Sequence, residues 1–177
     1  MKGELGDDSR RPKCLLDVLL KLHIEDQVLD EDGVGQEVDT FISAGHDSIS
    51  VTVKWALYLI GLYPDVQEKI HHELDSVLGA DSKGPLSVAD LNELKYMDCV
   101  LKESNRLYPP AAAFGRKVPE EISIRVFAEM QGKILVYHIL KNFCLRSLDS
   151  RDQVLPIIKL SLQSSQPARI KFRRRQQ

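Results

Sequence analysis

Between Val38 and Ile60 apolar side chains return at every third or fourth position: Val38, Phe41 and Ile42, then Ile49, Val53, Ala56, Leu57 and Ile60. That is the period of an α-helix. The acidic stretch LDEDGVGQEVD opens it, placing carboxylates where the positive end of the helix dipole favours them. Gly61 and Pro64 close it near Leu62. At a rise of about 1.5 Å per residue the helix is longer than roughly 40 Å, more than an ordinary globular helix needs, so it is predicted to cross a whole domain. Its second half is apolar nearly all round, with Val51, Val53, Trp55, Leu57 and Leu59 spread over several faces. Such a helix requires neighbours on every side.

The remaining pattern is also mostly helical. Leu15, Leu16, Leu19 and Leu20 lie on one side of a short helix over Lys13–His23, after a polar and disordered segment over residues 1–12. Pro64 and Gly79 bound a helix with Val66, Ile70, Leu74, Val77 and Leu78 on one face. Ser87 caps a short helix, and a longer one runs from Lys95 to Leu107, where Pro109 and Pro110 stop it. Val126–Phe143 reads as the last helix. The tail VLPIIKLSLQSSQPARIKFRR changes character to two β-type runs about a polar QSSQPA turn, which predicts a small C-terminal hairpin. The chain is therefore mainly α, without internal repeats.

One interruption stands out. The run AGHDSIS puts a glycine, an aspartate and two serines inside the long helix. Glycine there costs about 1 kcal/mol relative to alanine, and a carboxylate is expensive to bury without a partner. Either Gly45 lets neighbouring backbone pack closely while Asp47 is bonded locally, or Ala44, Gly45, Asp47 and Ser48 form a site. A second candidate is the pair Glu103 and Arg106 in KESNRLYPP, placed on one helix face by their spacing; alone it reads as a surface ion pair.

Composition narrows the choices. The 177 residues are 43% hydrophobic and 28% charged, enough for one domain or a piece of a larger one. A formal charge of -2 gives no electrostatic footprint for nucleic acid. The basic tail RIKFRRRQQ is the local exception and reads as a solvated terminal strand. Three cysteines, Cys14, Cys99 and Cys144, lie far apart without CxxC spacing, which excludes a disulfide framework and a zinc site. The five histidines have no ligand spacing, and His71 and His72 are expected in solvent. WALYLIGLY, the longest apolar run, is far shorter than the roughly 20 residues of a membrane span.

Taken in order, EVDTFISAGHDS, KWALYLIGLYPDVQEKIHHELDSVLG, LSVADLNELKYMDCVLKESNRLYPP and FAEMQGKILVYHILKNF resemble the C-terminal half of a cytochrome P-450, of the fatty-acid ω-hydroxylase type called family 4. The resemblance runs from about Leu29 to Arg175. It implies haem as cofactor, NADPH through a cytochrome P-450 reductase as electron source, a small apolar or fatty-acid-like substrate, and association with the endoplasmic reticulum membrane. With no anchor in this sequence, a cytoplasmic or peripheral location is expected. Ala44, Gly45, Asp47 and Ser48 match the oxygen-binding notch of the long helix, where the missing side chain leaves room for dioxygen. The acid and the following alcohol pass protons towards it, Ser48 standing where a threonine is usual. Ile49 departs from a second threonine. Ala44 stands where many relatives carry a glutamate esterified to haem, so covalent attachment is not expected. Glu103 and Arg106 match the pair that buttresses the proximal side of the haem pocket, and Arg116 matches an arginine that meets a haem propionate.

The resemblance also marks a gap. The family's iron ligand is a cysteine on a glycine-containing loop just ahead of the last long helix. Counting back from Phe127, the cysteine position falls on Ile122 and the following glycine position on Ile124. RKVPEEISI runs directly into RVFAEMQ, which places an internal deletion near 124–126 in a partial domain spanning 13–177. The arginine that completes the Glu103–Arg106 network is lost with it. The expected product is a catalytically inactive member of an oxidoreductase family; the rival reading is a non-catalytic helical interaction or lipid-binding protein. Loose packing is expected too, because neighbours of the long helix are missing.

Overall fold

The computed structural model describes residues 14–79, 86–111, 128–159 and 161–175. Among them are α1 (Leu15–Ile24), α2 (Glu31–Leu62), α3 (Pro64–Leu78), α4 (Val88–Glu93), α5 (Lys95–Leu107) and α6 (Ala128–Asn142). The strands are β1 (Phe143–Ser147), β2 (Pro156–Ile158), β3 (Leu162–Ser164) and β4 (Ile170–Arg174). The chain divides into two units, one ending at Ala44 and the other beginning at Gly45.

In the first unit, the Cys14 amide donates to Asp17 Oδ2 at 2.9 Å and starts α1. The Gly33 amide donates to Asp30 Oδ1 at 2.7 Å at the start of α2. Of the four leucines predicted to share a face of α1 only Leu19 is buried, while Leu15, Leu16 and Leu20 are exposed. Phe41 and Ile42 of α2 are exposed as well, at 58% and 62%.

The second unit is built round the rest of α2. One core cluster takes Ala56, Leu57 and Ile60 of α2 with Ile70 and Leu74 of α3, Met97 and Leu101 of α5, Val136 and Leu140 of α6 and Leu145 of β1. Val51, Trp55, Tyr58 and Leu59, on other faces of the same helix, pack with Tyr108, Val154 and Leu162 in a second cluster. Trp55 is fully buried, stacked on Tyr108 at 4.2 Å between ring centres. Two clusters on two sides explain why this half of α2 is apolar nearly all round.

Polar side chains fix the joints. Glu73 of α3 accepts hydrogen bonds from the amides of Tyr96 and Met97, at 2.6 and 2.9 Å, and so satisfies free N–H groups at the start of α5. Gln67 clamps β1: its Nε2 donates to the Leu145 carbonyl at 2.8 Å, and its Oε1 accepts from the Leu145 amide at 2.6 Å. Asp98 of α5 pairs with Lys133 of α6 at 3.6 Å. Gly79 ends α3 with φ of 74°, a conformation that glycine adopts without strain.

The C-terminal hairpin is present as β2 and β3, paired antiparallel with Ile157 opposite Gln163. The QSSQPA turn does not join paired strands, however. β4, which follows it, pairs antiparallel with β1, Leu145 opposite Phe172, and Phe143 thus opens a strand instead of closing the last helix. His71, expected in solvent, is buried on the core side of α3, while His72 is exposed. Residues 1–12 and the junction near 124–126 lie outside the described residues. Among the described residues no helix is long and apolar enough to cross a membrane.

Candidate functional site

The polar notch of α2 sits where the sequence placed it, inside an unbroken helix. A Cβ built on Gly45 meets nothing within 4 Å. Close packing of neighbouring backbone therefore does not account for this glycine. Ala44 and Gly45 are exposed, and Asp47 and Ser48 are half-buried.

Asp47 is engaged by a distant part of the chain. Its Oδ2 accepts a hydrogen bond from Ser161 Oγ at 3.1 Å, across 114 residues of sequence. Ser161 Oγ in turn accepts from Gln163 Nε2 at 2.7 Å. Gln163 Oε1 accepts from Lys54 Nζ at 3.3 Å, two turns further along α2. Lys54 also lies 5.1 Å from the centre of the Trp55 ring, and partial burial lowers its ammonium pKa below the usual lysine value. Next to this network Trp55 Nε1 donates to the Leu162 carbonyl at 3.1 Å. The hairpin is thereby fastened along α2, and its first polar contact is the acid of the notch. Ser161 and Gln163 were not legible as site residues, since neither belongs to a motif.

Glu103 and Arg106 are brought together. Arg106 Nε and Nη2 donate to Glu103 Oε2 and Oε1, both at 2.7 Å. The pair faces solvent, with side chains 68% and 53% exposed for Arg106 and Glu103. The hydrogen bonds between them, and then their opposite charges, hold the Glu103 carboxyl below and the Arg106 guanidinium above its usual range. Among the described residues no third charged group joins them, and no hydrogen bond links them to Asp47. Arg116 and Ile122 lie outside the described residues.

The cysteines are dispersed. Cys14 caps α1, Cys99 is exposed on α5, and Cys144 is half-buried in β1 opposite Arg173. Among the described residues no group of His, Cys, Asp and Glu side chains is arranged to hold a metal ion.

A notch in a long helix, followed by a helix bearing a Glu–Arg pair, is the arrangement the sequence motifs anticipated, and the sequence model for cytochrome P450 matches residues 1–126. The chain belongs to the cytochrome P450 family. It is 46% identical over 122 residues to the probable cytochrome P450 4d20 of Drosophila melanogaster, a match covering 69% of this chain and 24% of that protein. To human cytochrome P450 4V2 it is 39% identical over 132 residues, covering 74% of this chain and 25% of the relative. The chain thus spans about a quarter of the length of these curated P450 relatives. A crystal structure of a cytochrome P450 (CYP102L1) superposes with a TM-score of 0.67 at 18% identity, covering 83% of this chain and 47% of that one. That likeness shows the fold: this is part of a P450 domain, mainly α with a small C-terminal hairpin.

Proposed function

We propose that this P450 chain descends from a haem-thiolate monooxygenase of the family 4 type and that in its present form it does not catalyse that reaction. The whole ancestral protein hydroxylates fatty-acid-like or other apolar substrates, with electrons from NADPH delivered by a reductase. The observation that carries the proposal is where the cysteines are. A haem-thiolate enzyme holds its iron through a cysteine whose sulfur pushes electron density towards the O–O bond. That sulfur needs a loop whose backbone amides point at it.

None of the three cysteines meets the requirement. Cys99 sits within α5, Cys144 belongs to the β1–β4 ladder, and Cys14 lies at the start of α1. The donor set does not fit haem-thiolate ligation. Two further features support the reading. The Glu103–Arg106 pair faces solvent, and among the described residues no third charged group joins it. The residues that match the oxygen-side notch lie in an unbroken helix, with nothing within 4 Å of a Cβ built on Gly45 and with Asp47 half-buried, which fits a loss on the ligand side.

The test is spectroscopic. Purified chain is mixed with haem, reduced and exposed to carbon monoxide. The expected result is no thiolate-type Soret band and no stoichiometric haem uptake. A thiolate-type band that disappears in Cys99→Ala or Cys144→Ala overturns the proposal.

A further inference from the structure

Among the described residues β4 pairs with β1 alone, so its other edge is open. The bonds at the two ends of the ladder fix which residues face that edge. The Leu148 amide donates to the Arg169 carbonyl at 2.9 Å, and the Arg175 amide donates to the Asn142 carbonyl at 3.0 Å. Backbone direction alternates along a strand. Lys171 and Arg173 therefore bond inwards to β1, while Ile170, Phe172 and Arg174 turn their N–H and C=O groups outwards. Among the described residues no other backbone group bonds to these. An open edge of this kind is a template for a further strand.

The side chains decide which strand. Arg146 stands opposite Lys171 and Cys144 opposite Arg173, so three cations share one face of the ribbon, and all three are exposed. Arg169 pairs with Asp149 and Arg175 with Asp75, whereas among the described residues Arg146, Lys171 and Arg173 have no ion pair. Like charges directly opposite each other destabilise a ladder, and carboxylates beside them relieve it. The same cations bar a second copy of β4. Phe172 lies on the other face, 48% exposed, with its ring edge-on to Phe143 at 5.9 Å between centres. A lipid surface takes cations and apolar side chains from one face, and here they are on two. The chain's net charge of -2 gives no nucleic-acid footprint.

We propose that the open edge of β4 takes up an extended peptide in which acidic and apolar residues alternate. Its backbone pairs with Ile170, Phe172 and Arg174, its carboxylates lie beside Lys171 and Arg173, and its apolar side chains cover Phe172. The site is independent of the haem question, since no residue of the α2 notch and neither Glu103 nor Arg106 takes part.

The probe is a fluorescein-labelled peptide of about eight residues alternating glutamate and valine, titrated into the intact chain by fluorescence polarisation. Saturation at one peptide per chain is expected, with a peptide of the same composition but its glutamates in one block at least about tenfold weaker. Phe172→Pro deletes an outward amide that the β1–β4 ladder does not use and is expected to abolish binding, whereas Phe172→Ala keeps the amide and is expected to weaken it only about two- to fivefold. Reversing the charges, as Lys171→Glu with Arg173→Glu, is expected to switch preference to a peptide alternating lysine and valine, a gain that misfolding cannot produce. Equal binding of the blocked peptide, equal effects of Phe172→Pro and Phe172→Ala, or an unswitched preference overturns the proposal. Tighter binding of phosphatidylserine vesicles or of a DNA duplex than of the alternating peptide overturns it as well.

Discussion

Asp47 and His71 show how far a residue's role depends on what faces it. Asp47 was conspicuous because a carboxylate inside an apolar helix needs a partner, and Ser161 is the partner that the fold supplies. His71 was inconspicuous, yet it is buried with Nε2 lacking a hydrogen bond. Burial, and then the nearby Arg175 guanidinium, lower its pKa below the usual 6.5, against smaller upward contributions that include Asp75. The sign follows from linkage. Above about 6.5 the ring is neutral in folded and unfolded chains alike, and its full contribution to stability is present. As pH falls below that value the unfolded chain takes up a proton that the folded chain resists, so stability declines. Thermal melts between about pH 7.5 and 5 are expected to fall less steeply for His71→Gln than for the parent chain, and parallel profiles sink the assignment.

At the scale of one element, α2 carries two glycines of opposite meaning. Gly61 lies in the last turn, where β1 passes so close that an added Cβ comes within 2.7 Å of Ser147 Oγ and 2.8 Å of the Ser147 amide nitrogen. Ser147 Oγ is held there by donating to the Tyr58 carbonyl at 2.6 Å. A backbone atom cannot move aside as a flexible side chain does, so Gly61→Ala is expected to destabilise by about 1–3 kcal/mol. Gly45 has open space beside it, and Gly45→Ala is expected to stabilise by up to about 1 kcal/mol through helix propensity alone. Chemical denaturation of the two variants measures both, and a shift of the same sign in both contradicts the reading. In sequence Gly61 looked like a helix terminator; in the fold it makes room for a strand.

For the whole molecule, the two units differ in how well they cover their apolar surface. The second buries Trp55 between aromatic neighbours, which predicts a strong near-ultraviolet circular dichroism signal. In the first, Phe41 and Ile42 remain exposed. Exposed apolar area of this kind binds hydrophobic dyes and promotes association. Replacing both, as Phe41→Gln and Ile42→Gln, is expected to cut dye binding and aggregation while leaving the Trp55 band and the melting temperature nearly unchanged. Loss of the near-ultraviolet band in the double variant argues instead that these two side chains support the core.

Sequence by itself determined the helices, most of their ends and the family. Pro64, Gly79, Ser87 and the Pro109–Pro110 pair act on the few residues beside them, and a cap or a break needs no distant partner. The notch and the Glu103–Arg106 pair were legible for the same reason, being short patterns on single helices. Tertiary structure alone decided the partners. The run after QSSQPA had the composition of a strand, but composition names no neighbour, and β1 competed successfully for it. The attachment of Ser161 to Asp47, the fit of Gly61 against Ser147 and the burial of His71 beside Arg175 join positions roughly 80 to 115 apart in the chain. Periodicity tells which face of a helix is buried. What that face meets is set only when the elements pack.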